Sequence, residues 1–191
     1  ILAERFAEVW ATPVVIENLQ GAGSNIATER VAKSPADGYT LLMGGNSALV
    51  INPSLYETLP FDPQKDFAPI TQVFIAANVL AVPSDVPVKS VAELVALAKT
   101  KPGQLNYGSA GLASLAHLAA ALFASDTGIE LTHVPYKSSA QSSIDIITGR
   151  LDMQFATVGP TLANIREGKL RALATTGAKR ISSLADVPTM M

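Results

Sequence analysis

The feature that most constrains this chain is a recurring junction: a short apolar strand, a loop of very small residues, and the start of a helix. The clearest example is Leu105-Asn106-Tyr107-Gly108-Ser109-Ala110-Gly111-Leu112-Ala113-Ser114. Leu105–Ser109 reads as a strand, and a helix is predicted from Ser114 to about Ala124. The first N–H groups of a helix have no intrahelical partner and carry partial positive charge. Small side chains leave those groups open to a ligand, so the loop is a candidate cradle for a carboxylate or phosphate. A second stretch, Tyr39-Thr40-Leu41-Leu42-Met43-Gly44-Gly45-Asn46-Ser47, has the same character. Two such cradles, with no evident catalytic partner, point to a protein that holds a small anion.

Around these junctions strands and helices alternate, the pattern of an α/β fold with mostly parallel sheets flanked by helices. After an opening helix, Pro13–Asn18 reads as a strand, Gln20–Gly23 as a turn, and Ser24 to about Lys33 as a helix. Tyr39–Met43 reads as a buried strand and Ala48–Tyr56 as a short helix near Pro53. Phe67–Val82 is long and apolar enough for two strands. The helix after Ser90 has the strongest signal: Ser90 and Glu93 form a capping box, and Val91, Leu94, Val95 and Ala98 share one face. Three more strand-helix units and a last strand, Leu170–Thr175, complete the pattern. The proline-rich break at Pro83–Pro87 divides the chain into an expected first lobe (1–83), a second lobe (84–176) and a return segment (177–191).

Composition narrows the function classes. Of 191 residues, 16% are charged and 48% are hydrophobic, which suits a packed core and argues against disorder. A net charge of −2 with scattered Lys and Arg leaves no footprint for nucleic acid. The absence of cysteine excludes disulfides, thiolate metal sites and a cysteine nucleophile. No apolar run approaches the roughly 18–20 residues of a membrane span. The chain opens with an amphipathic helix, without a starting Met or an N-cap, and stops without closing an element. It is therefore expected to be a piece of a longer one.

Other motifs are incomplete. Gly21-Ala22-Gly23-Ser24-Asn25-Ile26 follows a strand and opens a helix, but Ile26 stands where a dinucleotide fingerprint needs its third glycine, and no acid ends the next strand. A strand-to-helix turn that needs glycine conformations is the better reading. Gly108-Ser109-Ala110-Gly111 lacks nucleophile-elbow spacing. A serine hydrolase using Ser109 with His117 or His133 as base is the enzymatic alternative; neither histidine has an evident acid partner. No cofactor and no metal are expected, since no phosphate loop and no metal-ligand spacing is present. Lys137, before a helix capped by Ser138 or Ser139, is a candidate cation for an anionic ligand. Thr157 marks a further strand-to-helix junction.

These junctions carry a resemblance. Pro13–Asn18 with Gly21-Ala22-Gly23, then Ala36-Asp37-Gly38-Tyr39-Thr40-Leu41-Leu42, resemble the Bug/TctC family, the periplasmic solute-binding proteins of tripartite tricarboxylate transporters. The likeness continues through Ile51–Tyr56, Asp66–Ile70, Lys89–Leu94, Leu105–Gly111, His133–Lys137, Gly168–Ala174 and Asp186–Thr189. It runs over essentially the whole chain.

The resemblance implies a two-lobed periplasmic-binding-protein-like fold of type II that closes on a small carboxylate, often through bridging waters. It implies a periplasmic, monomeric binder rather than an enzyme, with membrane transporter subunits as partners; a ligand sensor for a signalling partner is a further alternative. By position, Asn46 and Ser47 would line the cleft from the first lobe. Ser109, Ala110, Gly111 and Ser114 would line it from the second, with Lys137, Ser138 and Thr157 completing it. Many members have Thr-Asn-Gly-Thr-His where this chain has Gly45-Asn46-Ser47-Ala48-Leu49, and many have an Asp shortly after the strand that here reads Phe155-Ala156-Thr157. Lacking that carboxylate, the cleft is expected to take a ligand without an ammonium group.

Overall fold

A computed structural model describes residues 1–190; residue 191, the end of the expected return segment, lies outside the described residues. The strands β1 (Asn78–Pro83), β2 (Asn106–Ser109), β3 (Thr132–Pro135), β4 (Met153–Thr157) and β5 (Leu170–Thr175) form one sheet in the order β3-β2-β4-β1-β5. β2 runs parallel to β3 and β4, while β1 is antiparallel to both β4 and β5. Four strands thus share one direction and β1 opposes them. The fold is α/β, as the alternation of elements predicts.

The sheet lies between two helical layers. α4 (Val91–Thr100) and α5 (Leu115–Thr127) cover one face, where Leu80, Val82, Leu94, Tyr107, Phe123, Met153, Phe155 and Leu173 form the main core. α6 (Ser139–Ile147) and α7 (Val158–Arg166) cover the other, over Val79, Ala81, Ile146, Leu151 and Ala156. Successive side chains of a strand point to opposite faces. Consequently β1, buried along its whole length, sends Leu80 and Val82 to one core and Val79 and Ala81 to the other. That two-sided burial explains the apolar run over residues 79–83.

Local signals account for the helix boundaries. Ser90 Oγ accepts the Glu93 N–H (3.2 Å), and Glu93 Oε2 reaches back to the Lys89 N–H (2.6 Å), one residue beyond the usual capping-box partner. α5 begins at Ser114 and ends at Gly128, whose φ of +64° suits glycine. Gly108 permits close packing of α6: a Cβ there would stand 2.3 Å from Ser142 Oγ and 2.4 Å from Leu151 Cδ1. Arg171 pins the turn after β1 by donating to the carbonyls of Ser84, Val86 and Val88.

The N-terminal part differs from expectation. It holds α1 (Leu2–Trp10), α2 (Asn25–Ala32), a π-helical turn over Ser47–Ile51 and the short α3 (Asn52–Leu55). The strands predicted at Pro13–Asn18 and Tyr39–Met43 are not strands here, and Phe67–Val82 yields β1 alone. A strand exists only when a neighbour takes up its N–H and C=O groups. These segments have no such neighbour among the described residues, and Val15 and Tyr39 are 85% and 91% exposed. Residues 187–190 run beside β5, where the Thr175 N–H donates to the Pro188 carbonyl and the Met190 N–H donates to the Thr175 carbonyl.

Candidate functional site

The strand directions bring the sequence junctions to one edge of the sheet. β2, β3 and β4 end there, at Ser109, Pro135 and Thr157, and each leads into a helix. Three helix N-termini, those of α5, α6 and α7, therefore open on the same side. Ligands of open α/β sheets bind at such carboxyl edges.

Ser114 caps α5: its Oγ accepts the His117 N–H (3.3 Å) and donates to the Gly111 carbonyl (2.8 Å). Ser138 caps α6 by accepting the Gln141 N–H (3.4 Å). Thr157 starts α7 without a side-chain cap. The loop between β2 and α5 turns at Gly111 (φ +105°) and Ala113 (φ +61°). The Leu112 and Ala113 N–H groups, in the loop that opens α5, make no hydrogen bond among the described residues. Lys137 is exposed and forms no ion pair among them. Behind it, Tyr136 donates its phenol to Asp145 Oδ2 (2.7 Å), which also receives Arg150 through Oδ1 (3.1 Å). Burial first, then the carboxylate of Asp145, push the Tyr136 phenol up to about 12.

The N-terminal part meets this edge through a left-handed turn. Gly21, Ala22, Gly23 and Ser24 have successive φ values of +124°, +46°, +61° and +72°. Left-handed backbone costs roughly 1–2 kcal/mol at a residue bearing a Cβ, so Ala22 and Ser24 are strained. Asn52, fully buried, holds the turn: its Nδ2 donates to the Gly23 carbonyl (3.2 Å) and to Asn25 Oδ1 (2.7 Å). A Cβ on Gly23 would stand 3.8 Å from the Leu112 carbonyl, so the two loops face each other closely. Asn46 is exposed and Ser47 half-buried, both at the start of the π-helical turn that runs into Asn52.

Ser109, expected at the cleft wall, is fully buried in this structure. Ser109 and Tyr107 lie on the same face of β2, the face that α5 covers, because strand side chains repeat every second residue. The Ser109 hydroxyl donates to the Gly111 carbonyl (2.9 Å), accepts the Gly111 N–H (3.1 Å) and lies 2.7 Å from His133 Nε2. Ala110, Gly111 and Ser114 sit half-buried along the same loop, Ser138 is half-buried, and Thr157 is exposed at the end of β4.

Sequence reasoning weighed His117 and His133 separately, as alternative bases for Ser109, yet they form one cluster. The His133 ring stacks on Tyr107 (centroids 4.9 Å apart) and contacts the His117 ring (4.4 Å). Burial holds both imidazoles below the ordinary histidine value, and His117 lowers His133 further. No carboxylate contacts either ring among the described residues. A buried serine that spends its hydrogen on a carbonyl, beside histidines without an acid partner, does not form a nucleophilic triad. Asn25 and Asn52 were also missed as partners; they are 27 residues apart, and nothing in their spacing signals contact.

Sheet order, strand direction and helix starts together define an open α/β fold with its helix starts gathered at one end of the strands. Comparison with known proteins places the chain within a family. The family model described as "Tripartite tricarboxylate transporter family receptor" matches residues 1–191, and the chain belongs to that family. It is 35% identical to the protein BugT of Bordetella pertussis over 191 residues, spanning 100% of this chain and 59% of that protein. Among solved structures, R. palustris Rpa4515 with adipate superposes with a TM-score of 0.94 at 38% identity, over 99% of this chain and 63% of that one. MatC from Rhodopseudomonas palustris, with bound malate, gives a TM-score of 0.89 at 26% identity, over 98% of this chain and 64% of that one. The chain thus spans between half and two thirds of each of these three relatives. Among the described residues, no helix is long and apolar enough to cross a membrane.

Proposed function

We propose that the protein binds a small organic carboxylate in a cleft between two lobes, in the periplasm, and delivers it to a tripartite tricarboxylate-type membrane transporter. The observation that carries this reading is the pair of unclaimed N–H groups at Leu112 and Ala113, beside the open starts of α5, α6 and α7. Fixed amide donors at helix starts suit a carboxylate. Lys137 adds a cation that forms no ion pair among the described residues, and Asn46, Ser47 and Thr157 add exposed or half-exposed polar groups. Relatives of the same fold hold adipate and malate, so a dicarboxylate is the first class to test.

In this reading the first lobe is expected over residues 1–83 and the second over 84–176, with β1 (Asn78–Pro83) contributing to the sheet of the second, and the Gly21–Ser24 turn meets the Leu112 loop where the lobes touch. Ala110, Gly111, Ser114 and Ser138 shape the wall; Ser109 supports it from behind. The test is a thermal-shift screen of the full-length protein against adipate, malate, citrate, aspartate and an uncharged sugar. A ligand at a hundred times its Kd stabilises the native state by about 2.7 kcal/mol, a shift of several degrees. A dicarboxylate should produce it and aspartate should not. A shift with the sugar alone would remove the carboxylate reading.

A further inference from the structure

The Ser109 hydroxyl is a junction with more acceptors than hydrogens. A hydroxyl has one hydrogen to donate and accepts through two lone pairs. The Gly111 N–H donates to Ser109 Oγ, while the Gly111 carbonyl at 2.9 Å and His133 Nε2 at 2.7 Å both sit at hydrogen-bond distance. If Nε2 carries no hydrogen, the hydroxyl can satisfy only one of them, and the other contact sets lone pair against lone pair. If Nε2 carries the hydrogen, all three contacts are matched. The tautomer is thereby set by the serine.

We propose that His133 is a positioning residue of the carboxylate site: its Nε2–H fixes the Ser109 hydroxyl, which in turn fixes the Gly111 turn and the amides that follow it. This rests on the binding reading above. The circuit closes on itself. His133 holds Ser109, Ser109 holds Gly111 through both its N–H and its carbonyl, and the Gly111 carbonyl also receives Ser114 Oγ (2.8 Å). Ser114 Oγ takes the His117 N–H (3.3 Å), and the His117 ring returns to His133. Tyr107 and His117 both pack against the imidazole ring. Burial favours the neutral ring, which has one tautomer to choose. The loop between Ser109 and Ser114 is therefore one unit, with the Leu112 and Ala113 amides aimed by contacts behind it.

The test uses the full-length protein with adipate as the probe. Nitrogen-15 imidazole spectra should show His133 as the Nε2–H tautomer; the Nδ1–H tautomer would overturn the proposal. His133→Phe keeps an aromatic ring but no donor and should weaken adipate binding by roughly tenfold, the scale of one hydrogen bond. His133→Gln can place an amide N–H where Nε2 stood and should recover most of that loss. In a Ser109→Ala background, His133→Phe should add nothing, because the two residues act through one contact. Equal losses for Phe and Gln, or additive losses, would reduce His133 to a packing residue. If wild-type protein ignores adipate, the dicarboxylate reading suffers, while the tautomer and the non-additivity of the two substitutions in melting temperature still decide this proposal.

Discussion

The two halves of the chain use similar apolar segments to different ends. In β1, Asn78–Pro83 is flanked by β4 and β5, and each of its side chains is buried. In the N-terminal part, Val15 and Tyr39 lie in equally apolar stretches, yet they are exposed, as is Ile75 at 84%. The difference lies in neighbours, not in composition. A strand gains burial and ladder hydrogen bonds only when another strand lies beside it. Apolar sequence supplies readiness to pair, and the partner decides whether a sheet forms.

Truncating one apolar residue in each half breaks this comparison most directly. Phe155→Ala removes a ring packed against Phe123 (centroids 5.9 Å) in the main core and should cost about 3–5 kcal/mol in urea unfolding. Ile75→Ala should stay within about 0.5 kcal/mol. A loss at Ile75 approaching that at Phe155 would mean that the exposed segment is covered in solution.

Glycines sharpen the contrast at smaller scale. Gly108→Ala would drive a methyl group to 2.3 Å from Ser142 Oγ and 2.4 Å from Leu151 Cδ1, and should cost about 1–3 kcal/mol by overpacking. Gly45 has nothing within 4 Å of an added Cβ. Gly45→Ala should therefore leave the melting temperature nearly unchanged. If both substitutions behaved alike, the close approach of α6 to β2 would be refuted.

The smallest expected effect is a pH dependence confined to the sheet half. Burial lowers the His117 and His133 values from the ordinary 6.5, so the unfolded chain binds protons more readily than the folded one. Their contribution to stability is present above about pH 6.5 and is lost as the pH falls through the depressed folded values. Chemical denaturation between pH 7.5 and 5 should show a decline that His133→Gln reduces. An unchanged decline in that variant would assign it to other groups.

Helices were the most legible part of the chain because their signals are local. Ser90 with Glu93, Ser114 before an apolar run, and Ser138 before α6 each announce a helix start within a few residues. The strands β2 to β5 were also legible, since each is a short apolar run bounded by turn residues. The candidate site was partly legible for the same reason: its wall is made of helix starts. The identity of Ser109 does not say which face of β2 it occupies. His133 was weighed only as a base for Ser109, 24 residues away, and Asn52 escaped notice because its partner lies 27 residues away.

By itself, the sequence determined the α/β class, the helix starts, the small-residue loops and the family. Each depends on neighbours in the chain or on the order of motifs. Only the tertiary structure decided that β1 opposes the other strands, that the segments near Val15 and Tyr39 find no strand partner among the described residues, and that Ser109 turns inward to His133. Those outcomes depend on which elements lie side by side. Pairing and burial are contacts between distant residues, and no local pattern specifies them.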